Sequence, residues 1–190
     1  MQTISCTLRL NALPRFVKPC PRCGHPYFEN SGCFRINANG KLLDIRLVCR
    51  CENCKTIWNL TVCKRKDRKL LDPQAYREYL ENDENRVLLH VFDPAFLANN
   101  RATLDLDHLD FCICGESPRE REAAQVTFSS AYLLPLPAGD VAARILGVSR
   151  SRVRRMHEAG TLAFSGDLRQ TKTAFGFRFI LAEGWQRTEQ

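Results

Sequence analysis

The chain has 190 residues, of which 44% are hydrophobic and 26% charged, with ten cysteines and a net charge of +7. That size and composition suit one ordinary globular domain or two small ones, and exclude a disordered tail or a fibrous repeat. No export signal opens the chain and no apolar run is long enough to cross a membrane, so a reducing cytoplasm is the expected setting. The charge is unevenly spread: residues 1–70 carry +10, residues 71–139 carry −7 and residues 140–190 carry +4. Basic ends around an acidic middle fit a polyanionic partner at the ends.

Thr3 to Leu10 alternates apolar and polar residues and predicts an edge strand for the β-structure that follows. Leu13-Pro14 and Pro19 then lead to Cys20-Pro21-Arg22-Cys23-Gly24, and a second C-x-x-C pair stands at Cys51-Glu52-Asn53-Cys54-Lys55. Between them Phe34, Ile36 and Ala38 alternate with Arg35, Asn37 and Asn39. After Asn39-Gly40, Leu43, Ile45 and Leu47 alternate with Asp44, Arg46 and Val48. Asparagine and glycine tolerate positive φ, so this pair predicts the turn of a long hairpin joining two metal knuckles. The pattern is that of a zinc ribbon, with structural Zn2+ on Cys20, Cys23, Cys51 and Cys54. A disulfide framework wants export, and a redox dithiol needs one pair and a helix, so both are weaker readings. Cys49 shares a strand face with Cys51 and is expected outside the ligands, either as a thiol beside them or as a core residue. His25 is expected as a polar surface residue, and Cys6, Cys33, Cys63, Cys112 and Cys114 as small buried apolar ones.

Thr56 to Val62 predicts a third ribbon strand, and Lys64, Arg65 and Lys66 open the densest basic run. That run is either a solvated connection or a phosphate-contacting patch. Asp72-Pro73 and Asp93-Pro94 each offer an N-cap followed by proline, and a further helix is expected from Glu84 to Phe92. Asp105, Asp107, His108 and Asp110 alternate with leucines, which predicts the solvated side of an amphipathic turn or strand and not a catalytic cluster. Phe111 to Cys114 and Gln125 to Leu134 predict short strands around a polar loop.

From Leu136 to Gly166 two helices are expected. Val141, Ile145 and Leu146 mark the first, which ends at Gly147. Ser149 caps the second, with Val153, Met156 and His157 on its buried side. Arg150, Arg152, Arg154 and Arg155 crowd this second helix and would repel one another without a polyanion nearby. Ala143, Gly147 and Val153 stand where a DNA-binding helix-turn-helix wants them. Asp140, Ser149-Arg150, Gly160 and Leu162-Ala163-Phe164-Ser165-Gly166 resemble the S-four-type RNA-binding fold of pseudouridine synthases and a small-subunit ribosomal protein. Ser165 stands where that fold has asparagine, and Ala138-Gly139 where it has Arg-Leu. Strand alternation through Phe175, Phe177 and Phe179 favours the RNA reading.

Cys20-x-x-Cys23, the run from Ser31 to Lys41 that includes Phe34-Arg35-Ile36-Asn37-Ala38-Asn39-Gly40, and Cys51-x-x-Cys54 with Thr56-Ile57-Trp58-Asn59 together resemble domain-of-unknown-function family 1062. The resemblance implies a cytoplasmic bacterial protein and no particular activity. The expected whole is an α+β protein in three parts: a zinc ribbon over 1–70, an acidic, partly helical segment over 71–134, and a basic nucleic-acid-binding unit over 135–190. Its expected role is non-catalytic binding of structured or ribosomal RNA, with no membrane partner. The alternatives are a DNA-binding regulator, a protein-interaction adaptor working through the ribbon, and an enzyme without a recognisable motif.

Overall fold

A computed structural model of the chain describes residues 1–166, 168 and 171–187, with the side chains of Lys172 and Phe175 outside that description. The expected alternation at Phe175 therefore lies outside the described residues. In chain order the first strands are β1 (Gln2–Leu10), β2 (Phe16–Val17), β3 (Tyr27–Asn39), β4 (Leu42–Cys51) and β5 (Ile57–Asp67). Three helices follow, α1 (Pro73–Glu81), α2 (Glu84–Val91) and α3 (Pro94–Asn100), then β6 (Thr103–Leu104), β7 (Phe111–Gly115) and β8 (Ala124–Pro137). The last elements are α4 (Ala138–Leu146), α5 (Arg150–Glu158), β9 (Leu162–Phe164) and β10 (Lys172–Leu181). The class is mixed α+β, and no helix among the described residues is long and apolar enough to cross a membrane.

Two compact units form: Ala12–Asp110, and Met1–Asn11 together with Phe111–Gln190. These boundaries differ from the expected three parts, which divide at 70/71 and 134/135. Charge changes sign after residue 70, but the acidic helices pack on the ribbon that precedes them, with α1 and α2 on β3 and α3 on β5.

In the unit Ala12–Asp110 the strand order is β5-β4-β3-β2-β6. The long β3–β4 hairpin turns at Asn39-Gly40, where Gly40 has φ +58°. One side of the hairpin carries Phe34, Leu47 and Ile45, which pair across the strands or lie two residues apart, and this apolar side receives the helices. The helices begin as their acidic residues dictate. Asp72, Asp83 and Asp93 each accept a hydrogen bond from a first-turn N–H, at 2.8, 2.8 and 2.9 Å. Part of the negative charge of this segment is thus capping charge. Two asparagines stitch the helices to the sheet: Asn82 accepts from the Phe34 N–H at 2.6 Å, and Asn100 pairs with both backbone groups of Thr61, at 2.6 and 3.0 Å.

Tyr79 and His90 stack between Phe34 and Phe96, with Tyr79 Oη 2.8 Å from His90 Nε2. Burial lowers the His90 pKa to about 4, aided by the positive charge of Arg86. Above about pH 6.5 the imidazole is neutral in both folded and unfolded chains, so it confers no pH dependence there. As pH falls from about 6.5 to about 4, only the unfolded chain takes up this proton, and stability falls by roughly 1.4 kcal/mol per unit. Urea titrations at several pH values across that window should show a shallower decline in His90→Gln than in wild type. Equal declines would remove His90 as the source.

In the other unit the strand order is β7-β1-β8-β10-β9, with β1 parallel to β8 and every other pair antiparallel. β1 therefore does not join the ribbon, as its alternation alone suggested. Its partners come from the far side of the inserted unit. β10 approaches β8 so closely at Gly176 (φ +155°) that a Cβ there would meet the Phe128 carbonyl oxygen at 2.4 Å, which only glycine avoids. Helices α4 and α5 pack on this sheet over a core that includes Phe128, Leu134, Leu146, Phe179 and Trp185.

Candidate metal centre and basic helix pair

The two knuckles are built alike. In the first, the Gly24 N–H donates to the Cys20 carbonyl at 2.9 Å and the Cys20 N–H to the His25 carbonyl at 2.8 Å. In the second, the Lys55 N–H donates to Cys51 at 3.1 Å and the Cys51 N–H to Thr56 at 2.9 Å. Each knuckle closes on a residue at positive φ, Gly24 at +74° and Lys55 at +61°. Pairing of Phe28 with Cys51 in the β3–β4 ladder brings the second knuckle beside the first.

All four ligand sulfurs lie within 4.8 Å of one another, with Cys20–Cys54 and Cys23–Cys51 separations of 3.6 Å. Four thiolates at about 2.3 Å around a tetrahedral zinc are about 3.8 Å apart, so the geometry fits such an ion. These cysteines can hold a metal. The thiols differ in readiness. Hydrogen bonds from the Thr56 hydroxyl and backbone pull Cys54 down to about 6, while burial pushes Cys51 up to about 11. Burial also works to raise Cys20, but the backbone N–H groups of Arg22 and Cys23 help bring it below its ordinary value. Metal loading must therefore displace a proton from Cys51, which makes affinity pH-dependent.

Cys49 lies opposite Trp58 and Asn30, fully buried and outside the cluster, and burial raises its pKa to about 12. His25 contacts Glu52 at 3.4 Å and is not among the clustered ligands. The other cysteines divide. Cys6 is buried, Cys63, Cys112 and Cys114 are half-buried and Cys33 is exposed. Cys112 and Cys114 pair with Arg9 and Thr7, exposed residues of β1, so they occupy the outward side of β7 and not the core.

Asp105 departs from the expected solvated position. It is 5% exposed, receives Arg15 Nε at 2.7 Å and lies 2.9 Å from His108 Nδ1. Burial raises its pKa, but the His108 and Arg15 hydrogen bonds bring it below the ordinary carboxylate value. Arg15 also pairs with Glu52 of the second knuckle at 3.2 Å and lies 3.9 Å above the Tyr27 ring. Asp105 thus anchors the arginine that braces the knuckle. Asp107 and Asp110 are exposed. The alternation with leucine hid Asp105, whose burial rests on His108 and on Arg15, ninety residues away.

Lys64, Arg65 and Lys66 are exposed near the end of β5, so they belong to the third ribbon strand. In the other unit Gly147 (φ +66°) turns the chain between α4 and α5, and Ser149 caps α5 by accepting from the Arg152 N–H at 3.1 Å. Arg150, Arg154 and Arg155 are exposed. Arg150 pairs with Asp140 at 3.1 Å, and Arg154 with Glu158 at 3.6 Å. Arg152 differs, being half-buried and donating to the Gln186 carbonyl at 3.3 Å. Arg150, Arg154 and His157 line an open cavity of about 950 Å³ together with Asp140, Ser151 and Gly166.

A family model described as "Protein of unknown function (DUF1062)" matches residues 36–167, which include Cys51 and Cys54 and begin after the first knuckle. No curated protein and no solved structure matches the chain.

Proposed function

The chain belongs to the DUF1062 family, which brings no activity with it, and from the residues themselves we propose a zinc-stabilised, non-catalytic RNA-binding protein. The carrying observation is the cavity beside α5, where Arg150 and Arg154 present guanidiniums to solvent within reach of a phosphate backbone. Of their carboxylate partners, Glu158 is exposed and Asp140 half-buried, but both guanidiniums lie in solvent, and such exposed pairs are worth at most about 1 kcal/mol. A polyanion can exchange for them at little cost. Zinc on Cys20, Cys23, Cys51 and Cys54 has a structural role in this reading, because all four ligand positions are thiols.

RNA is favoured over duplex DNA by what the start of α5 is doing. A helix reading a DNA major groove uses the side chains at its N-terminal end. Here Arg152 is spent on the Gln186 carbonyl, and Ser151 Oγ lies 2.9 Å from Ser149 Oγ. The remaining arginines suit backbone contacts, which is how A-form RNA, with its closed major groove, is bound.

Arg150→Ala/Arg154→Ala should flatten the dependence of log affinity on log salt by about two units, whatever the RNA sequence. Fluorescence anisotropy on a structured RNA and on duplex DNA of equal length checks this. Tighter, sequence-dependent binding to the DNA would end the RNA reading in favour of a regulator.

A further inference from the structure

The β3–β4–β5 sheet has two sides of opposite electrical character. Its apolar side is covered by α1–α3. On its other side Arg35 stands directly opposite Arg46, and Arg50 follows four residues along β4, with Asn37, Asn59 and Thr61 around them. Like charges directly opposite in an antiparallel pair destabilise a sheet. Among the described residues no ion pair or side-chain hydrogen bond engages Arg35, Arg46 or Arg50. The nearby carboxylates are otherwise occupied: Asp44 accepts from the Arg65 N–H at 2.7 Å, and Glu29, opposite Arg50, is paired with Lys55 at 3.2 Å. The wider charge distribution reinforces this. Residues 12–71 hold 13 Lys+Arg against 4 Asp+Glu, whereas residues 72–110 hold 3 against 9. Because the helices of 72–110 lie on the apolar side, their negative charge is carried away from the arginines.

We propose that this open face binds the sugar–phosphate backbone of a nucleic acid, with Arg35, Arg46 and Arg50 as the phosphate-contacting groups. It is a second surface, in a different compact unit from the α5 arginines, and shares with the reading above only its class of partner. Arg46 and Arg50 are spaced about 13 Å along the strand, enough to follow several phosphates. None of the cross-strand partners of Arg35, Arg46 and Arg50 is aromatic, and Tyr27, which shares this face beyond Glu29, is capped by Arg15 at 3.9 Å, so binding is blind to sequence. A polyanion on the face removes the Arg35–Arg46 repulsion that the free protein bears.

Arg46→Glu separates binding from folding, because it sets a carboxylate opposite Arg35 and removes a like-charge pair. Its thermal midpoint should equal or exceed that of wild type. At about 0.1 M salt its affinity for a fluorescein-labelled RNA hairpin should fall roughly 50-fold, with a salt slope shallower by about two units. Unchanged affinity would overturn the proposal, and so would a loss of affinity that came only with a lower midpoint. Measured beside it, Arg150→Ala/Arg154→Ala tells the two surfaces apart. Weakening in that variant alone overturns the sheet face and leaves the helix reading standing. No RNA binding by wild type overturns both. Poly-glutamate displacing the RNA at equal charge concentration would mark a face for acidic proteins and overturn the nucleic-acid assignment.

Discussion

Wild type should purify with one zinc per chain, and Cys51→Ser should lack it and unfold the ribbon end of its unit. Cys51 is fully buried at the end of β4, opposite Phe28, so its sulfur cannot be replaced by water. A hydroxyl there leaves three thiols converging on a weakly held ion. Structural zinc contributes on the order of 10 kcal/mol to such sites, comparable with the whole stability of a domain. Metal analysis and amide exchange in the knuckles check this together. Wild type without zinc, or Cys51→Ser with a full complement, would sink the assignment. Cys49→Ser, by contrast, should keep its zinc, since Cys49 lies outside the cluster.

Trp185→Ala should destabilise the other unit by about 3–5 kcal/mol, the usual cost of emptying a large aromatic site. The indole is 1% exposed and its Nε1 donates to the Glu122 carbonyl at 3.1 Å. Around it the chain clasps the loop before β8, the Arg121 N–H donating to the Trp185 carbonyl at 2.9 Å and the Gly184 N–H to the Arg121 carbonyl at 3.0 Å. The neighbouring Arg187 and Arg152 bonds, to Leu146 and from Arg152 to Gln186, hang on the same segment. A fall of roughly 12 °C or more in this unit's calorimetric midpoint is expected. Trp185→Phe, which keeps most of the volume, should fall much less. A midpoint within a degree or two of wild type in Trp185→Ala would mean that the clasp holds without its centre.

What the sequence disclosed was local. The knuckles, the Asn39-Gly40 turn, the Asp-Pro helix starts and the Gly147 turn each declare themselves within a few residues, through ligand spacing, permitted φ or capping chemistry. What it concealed was pairing across distance. Alternation marked β1 as a strand but carried no information about its partners, which lie over a hundred residues away. Cysteine counted as apolar hid the sidedness of β7: Cys112 and Cys114 read as core, whereas the exposed Arg9 and Thr7 stand opposite them. Arg152 looked like its neighbours on α5, and only the Gln186 carbonyl sets it apart.

Leu10 and Phe111 are cross-strand neighbours in the β1–β7 ladder. The 99 residues from Ala12 to Asp110 thus leave and re-enter the other unit between two strand ends that sit side by side. Topologically that whole unit occupies the place of a hairpin loop, and the sheet receiving it would need only a tight turn to close without it. The order of synthesis then matters. Every residue of the inserted unit has been made by Asp110, whereas β1 must wait for β7, β8 and β10 before its sheet is complete. On the ribosome the inserted unit can fold while β1 is still an unpaired edge. A strand made before the whole inserted unit is thus among the last to find its place, and the exposed Thr3, Ser5, Thr7 and Arg9 along it temper its tendency to pair with another chain meanwhile.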